Sequence, residues 1–191
     1  SGDLEQRTLV RTNDEVGRLA QAFNQMTEHL LRLYRTSREL GSAIEVQPVL
    51  DVTQRTVETF APGTEVLALI DDRGIWRYRL RSDAALDVQG LQNLRVAPGD
   101  PLIRSLGQGQ LPQLLDAADE PRLAALGLSD VANFQSLLLT PLVVQDLVSG
   151  VLIFGHPAPR AFQGANEPTL MATANMAASV LYNAILFDRV H

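Results

Sequence analysis

The sequence predicts a mixed fold, α/β of the α+β kind. A long coiled-coil helix leads into a domain of mixed strands and helices that ends in a long C-terminal helix. Three observations carry this reading. Apolar residues step by three and four from Val16 to Ile44, short apolar runs separated by turn residues follow, and no charge occurs from Pro168 to Phe187.

The first observation is a heptad seam. Val16, Leu19, Phe23, Met26, Leu30, Leu33, Leu40 and Ile44 share one face, with Ser37 in the single polar slot. Arg18, Gln21, Gln25, Glu28, Arg32 and Arg35 occupy the other. Thr12 and Glu15 stand at capping-box spacing, which starts the helix near Asn13. From Asp14 to Ile44 it would run about 45 Å at roughly 1.5 Å per residue. So polar an outer face predicts a partner helix, making Leu19, Phe23, Met26, Leu30, Leu33 and Leu40 a homodimer seam. Gly41-Ser42 then weakens the helix and forms the joint.

Pro48 suits the first turn of a second helix that runs to Phe60, with Val49, Leu50, Val57 and Phe60 as its apolar stripe. Pro62-Gly63 ends it. Glu65 to Ile70 is a strand, Asp71-Asp72-Arg73-Gly74 a hairpin turn, and Ile75 to Leu80 a strand with Trp76, Tyr78 and Leu80 on one face. The middle, from Ser82 to Ser136, is less regular. A short helix opens at Pro98-Gly99-Asp100-Pro101, Gln110 to Leu115 reads as a strand and Glu120 to Leu126 as a helix. Ser136 to Val144 and Leu147 to Gly155 are strands joined by Gln145-Asp146. The final helix starts near Asn166. Its Thr169, Thr173, Asn175, Ser179 and Asn183 favour a buried or dimer-forming helix over a bilayer span.

Composition narrows the function classes. The chain has 191 residues, 46% of them hydrophobic and 20% charged, as a soluble protein with a core requires. A net charge of −6 without a basic stripe argues against nucleic acid. The absence of cysteine removes disulfides, thiolate metal sites, a cysteine nucleophile and a thioether-linked chromophore. His29, His156 and His191 lie too far apart to suggest a metal cluster. Gly107-Gln108-Gly109 lacks the lysine of a phosphate-binding loop, and Ser129, Ser136 and Ser149 have no nucleophile elbow. Asp71-Asp72 and Asp116, Asp119, Glu120 read as turn residues. No enzyme site is expected, and no metal site.

Gly2-Asp3-Leu4, then Asp14-Glu15-Val16-Gly17-Arg18-Leu19-Ala20 and Phe23-Asn24-Gln25-Met26, resemble the connector end and second helix of a HAMP domain. A plain coiled-coil spacer is the alternative. Phe134-Gln135-Ser136-Leu137-Leu138 with Thr140-Pro141-Leu142, Ser149-Gly150-Val151-Leu152, Phe162 and Leu181-Tyr182-Asn183-Ala184 resemble the last strands and exit helix of a GAF domain. The GAF resemblance implies an antiparallel sheet with helices on one face and a long exit helix; the PAS fold is the rival. The resulting division is a partial HAMP at 1–30, a signalling helix at 31–45 and a GAF domain at 46–191.

What the resemblance implies is a transmitter module of a membrane-anchored signalling protein, placed on the cytoplasmic side of the cell membrane. A histidine kinase is the foremost output domain, in the same chain, acting on a response regulator; a diguanylate cyclase or phosphatase is the alternative. Membrane contact is expected only through upstream helices. GAF domains bind varied ligands or none. A pocket here would be lined by Trp76, Tyr78 and Phe134, with Arg95 or Arg104 meeting an anion. No cofactor is expected and the small-molecule ligand is unidentified. His156, the one candidate haem ligand in this domain, reads as a surface turn residue.

Overall fold

The computed structural model describes residues 15–40, 45–81, 83–84, 86, 88–93, 96, 99–109, 112–116, 126–128, 133–144 and 146–190. Helix α1 spans Glu15–Leu40 and α2 Val46–Glu58. Strands β1 (Glu65–Asp72) and β2 (Ile75–Arg79) form a hairpin. Helices α3 (Val88–Asn93) and α4 (Pro101–Gly109) come next, then β3 (Gln113–Asp116), β4 (Ser136–Val144) and β5 (Leu147–His156). Helix α5, Glu167–Val190, closes the order. Helix α3 fell within the stretch read as irregular. The joint at Gly41-Ser42 and the helix expected at Glu120 to Leu126 lie outside the described residues, apart from Leu126 itself.

Five strands make one antiparallel sheet in the order β2-β1-β5-β4-β3. Local chemistry sets its turns. Arg73 and Gly74 both adopt positive φ, 54° and 87°, the two-residue geometry that matches strand twist. The Asp71 carboxylate accepts the Gly74 N–H at 2.7 Å. Asp100 caps α4, its Oδ1 accepting the N–H of Leu102 at 2.8 Å. Proline in a strand needs a free edge. Among the described residues, β3 pairs with Ser136 to Leu139 of β4, and Pro141 lies beyond that ladder.

Alternation along the strands feeds two apolar layers. Val66, Ala68, Ile70, Leu138, Leu142, Leu152 and Phe154 join a core with α1, α2 and α5. Leu67, Leu69, Leu137, Leu139, Val151 and Ile153 pack on the other face with α3 and α4 residues Leu91, Leu102 and Leu106. The three long helices lie on one face, as expected, and the second face is covered as well, by the two short helices. This double cover explains why β1 buries five residues in succession.

The uncharged stretch forms α5, which is long and apolar enough to cross a membrane by length and composition. Its Leu170, Thr173, Ala174, Ala177, Ala178, Leu181, Ala184 and Ile185 are buried on the sheet side, at helical spacing. A core helix is what this packing describes.

One expectation is corrected. The polar outer face predicts that a partner helix covers the apolar stripe of α1, whereas part of that cover comes from the chain itself. Met26 and Leu30 are each only 1% exposed and belong to the core that α2 and α5 build. The reason is geometric: α1 lies against both helices, so part of its apolar stripe is spent in cis. Phe23 is half-buried. Leu19, Leu33 and Leu40 lie on α1, with side chains outside the described set.

Candidate functional site

The aromatic residues nominated for a pocket do come together. Trp76 and Tyr78 alternate inward from β2, and Phe134 precedes β4; all three are buried in the cluster under α3 and α4. Tyr78 donates its hydroxyl proton to the carbonyl of Leu126 at 2.7 Å, inside the protein. Burial pushes its phenol far above the ordinary tyrosine range, because the phenolate would have to shed its water. Trp76 is bridged to Val96. Phe134 sits on Gly155, where an added Cβ would lie 2.5 Å from the ring. Arg95 lies outside the described residues, and Arg104 is exposed on α4.

The opposite layer joins the helices that lead in and out. Arg18, Gln21 and Gln25 of α1 border an open cleft of about 670 Å³ with Thr59, Phe60 and Asn166. Further along both helices, Thr27 Oγ1 of α1 lies 3.4 Å from Met176 Sδ of α5. Asn166, just ahead of α5, shares that cleft with the first turns of α1, and Met176 farther along α5 meets Thr27 farther along α1, so the two helices run in the same direction. The Thr27 hydroxyl also donates to the Phe23 carbonyl at 2.9 Å.

Polar clamps hold this layer, and sequence reading missed them. Gln54 is buried on α2; its Nε2 donates to the Thr64 carbonyl at 2.6 Å and its Oε1 accepts the Val66 N–H at 2.8 Å. A glutamine inside the Leu50–Val57 apolar stripe was the available signal. Asp116 is the last residue of β3 and accepts the Arg160 N–H at 3.0 Å, holding Arg160 at φ 53°. Ser136 donates to the Ala158 carbonyl at 2.8 Å and accepts the Ala161 N–H at 2.9 Å. Asn166 donates to the Phe60 carbonyl at 2.8 Å. The loop before α5 is therefore tied to the segment after α2, to β3 and to β4.

His156 ends β5 and is half-buried, more than a bare turn residue. Its Nδ1 accepts the Ala158 N–H at 2.9 Å, leaving Nε2 to donate to the Pro62 carbonyl at 3.1 Å. Its ring meets Phe162 edge-on at 6.1 Å. Both nitrogens are engaged within the protein. At the surface, Arg81 pairs with Asp83 at 2.7 Å, and this hydrogen bond holds the Asp83 carboxyl below the usual range.

Comparison with known proteins agrees with this architecture. A HAMP domain model matches residues 1–32 and a GAF domain model residues 45–181. The chain belongs to the GAF domain family and carries a HAMP segment ahead of that domain. The pair makes it a signalling module, and the HAMP segment marks a membrane-proximal signalling protein. The GAF domain of a phosphoenolpyruvate-protein phosphotransferase from Coxiella burnetii superposes with a TM-score of 0.61 at 17% identity, covering 92% of this chain and 99% of that one. A methyl-accepting chemotaxis protein, residues 122 to 287, gives 0.54 at 15% identity, covering 87% and 99%. The phycoerythrobilin-bound GAF domain of a cyanobacterial phytochrome gives 0.56 at 15%, covering 90% and 100%. At these identities the likeness is one of fold. No curated protein matches the chain.

Proposed function

We propose that this chain relays a conformational signal from its HAMP segment, through the α1–α2–α5 layer of the GAF domain, to an output domain beyond α5. The output we favour is a histidine kinase acting on a response regulator, in a homodimeric protein held at the cytoplasmic side of the membrane by upstream helices. The observation that carries the relay is the side-by-side, same-direction packing of α1 and α5, touching at Thr27 and Met176. Packed helices have discrete alternative arrangements, so a few kcal/mol of differential binding shifts their populations.

The test is helical phase. One residue inserted after Leu40 rotates everything downstream by about 100°. Seven residues nearly restore the phase. With the output domain attached, the single insertion should abolish regulated output and the seven-residue insertion should retain it. Equal output from both defeats the relay.

The packing of Trp76, Tyr78 and Phe134 favours a second reading, in which the domain transmits without a ligand of its own. Trp76 is the only tryptophan, so its emission reports on this layer. A metabolite that shifts that emission saturably would defeat the ligand-free reading.

A further inference from the structure

The heptad seam and the docked position of α1 make competing demands on the same two side chains. A seam that pairs with a second α1 needs Met26 and Leu30 in consecutive layers, because the apolar steps run through Phe23, Met26, Leu30 and Leu33. In this structure both side chains are fully buried among the core residues of α2 and α5. Thr27, between them, faces Met176 on α5. Arg18, Gln21, Gln25, Glu28, Arg32 and Arg35 are exposed, so α1 presents no second apolar stripe among its described side chains. One stripe cannot be covered from two sides at once.

We propose that the Met26–Leu30 stretch is a contested surface. Docked on α2 and α5 of its own chain, it is withheld from a partner α1; pairing with the partner requires undocking. The GAF domain thereby holds the incoming helix in a cis, self-covered state, and anything that loosens the α2–α5 groove releases the helix for pairing. This rests on the relay reading and adds its bistable element. Both states cover Met26 and Leu30. They differ in whether the α2–α5 groove or the partner's stripe is covered with them, so a bias on the groove shifts the balance. Thr27 suits such a site: its hydroxyl donates to the Phe23 carbonyl, so the hydroxyl keeps a hydrogen-bond partner whether or not Met176 is near.

The chain contains no cysteine, so a Thr27→Cys, Met176→Cys double variant has only those two thiols. A short bismaleimide should join them within one chain and fix the docked state. Sedimentation of the cross-linked protein should show dimerisation weakened at least tenfold relative to the same variant left unlinked. The second arm uses Met176→Gln, which loosens the groove without touching the seam and should tighten dimerisation several-fold. Equal dimerisation with and without the cross-link overturns the proposal, as does cross-linking between chains. So does a chain that stays monomeric in every form, or a Met176→Gln variant that pairs no better than the parent. None of these results bears on the insertion test, which reads regulated output in the protein carrying its output domain. A failed insertion test with a positive cross-link result would leave the docking exchange standing and remove its role in the relay.

Discussion

The ring of Phe134 occupies the volume that a side chain on Gly155 would need: a Cβ built on Gly155 would lie 2.5 Å from Cδ2 and Cε2 of that ring. The missing side chain on β5 is thus what admits an aromatic from the segment before β4. Gly155→Ala should destabilise the domain by about 1–3 kcal/mol through overpacking. Adding Phe134→Leu should recover part of that loss. Urea unfolding of the two single variants and the double variant checks it, and strict additivity would show that the two residues do not share this space.

Gln54 bridges α2 to the start of β1 with both ends of its amide. Gln54→Leu keeps most of the volume while leaving the Thr64 carbonyl and the Val66 N–H without that partner. We expect a loss of about 2–4 kcal/mol, since each buried group left unmade costs about 1–3 kcal/mol. Thermal unfolding measures it, and a variant as stable as the parent would deny the clamp its role.

Tyr78 supplies a pH dependence whose sign follows from its burial. Its phenol is raised in the folded state, so the folded chain keeps a proton that the unfolded chain releases from about pH 10 upward. The contribution is fully present below that pH and falls as pH rises beyond it. Tyr78→Phe should lose the Leu126 hydrogen bond, costing about 1 kcal/mol at neutral pH, yet decline less steeply above pH 10. Parallel alkaline curves for parent and variant would contradict this.

Thr140 on β4 and Thr173 on α5 are buried on the layer beneath α5, and neither hydroxyl has a hydrogen-bond partner among the described residues. Replacing either by valine keeps the shape and removes the unpaired group. Each change should raise stability by about 0.5–1.5 kcal/mol. Loss of stability in both would mean that the hydroxyls are satisfied in solution by bound water.

Much of this protein was legible in local pattern. The strands from Glu65, Ser136 and Leu147, the turn at Arg73-Gly74, the short helix opening at Asp100-Pro101 and the exit helix after Asn166 all stand where turn chemistry and apolar period put them. These features depend on backbone preferences and on neighbours a few residues apart, which a sequence displays directly. Family membership followed from their order.

Tertiary structure decided what each apolar face touches. A heptad stripe states that α1 must be covered and leaves open by what; only the fold brings α2 and α5 against Met26 and Leu30. Alternation put Trp76 and Tyr78 on one face and Phe134 was nominated beside them for a pocket; it took the second layer of α3 and α4 to place all three in a packed core. Asp116 and His156 read as turn residues because their partners lie elsewhere in the chain. Periodicity records that a side chain is buried. Which of several apolar surfaces does the burying is settled by the closing of the whole chain, where distant segments compete for the same area.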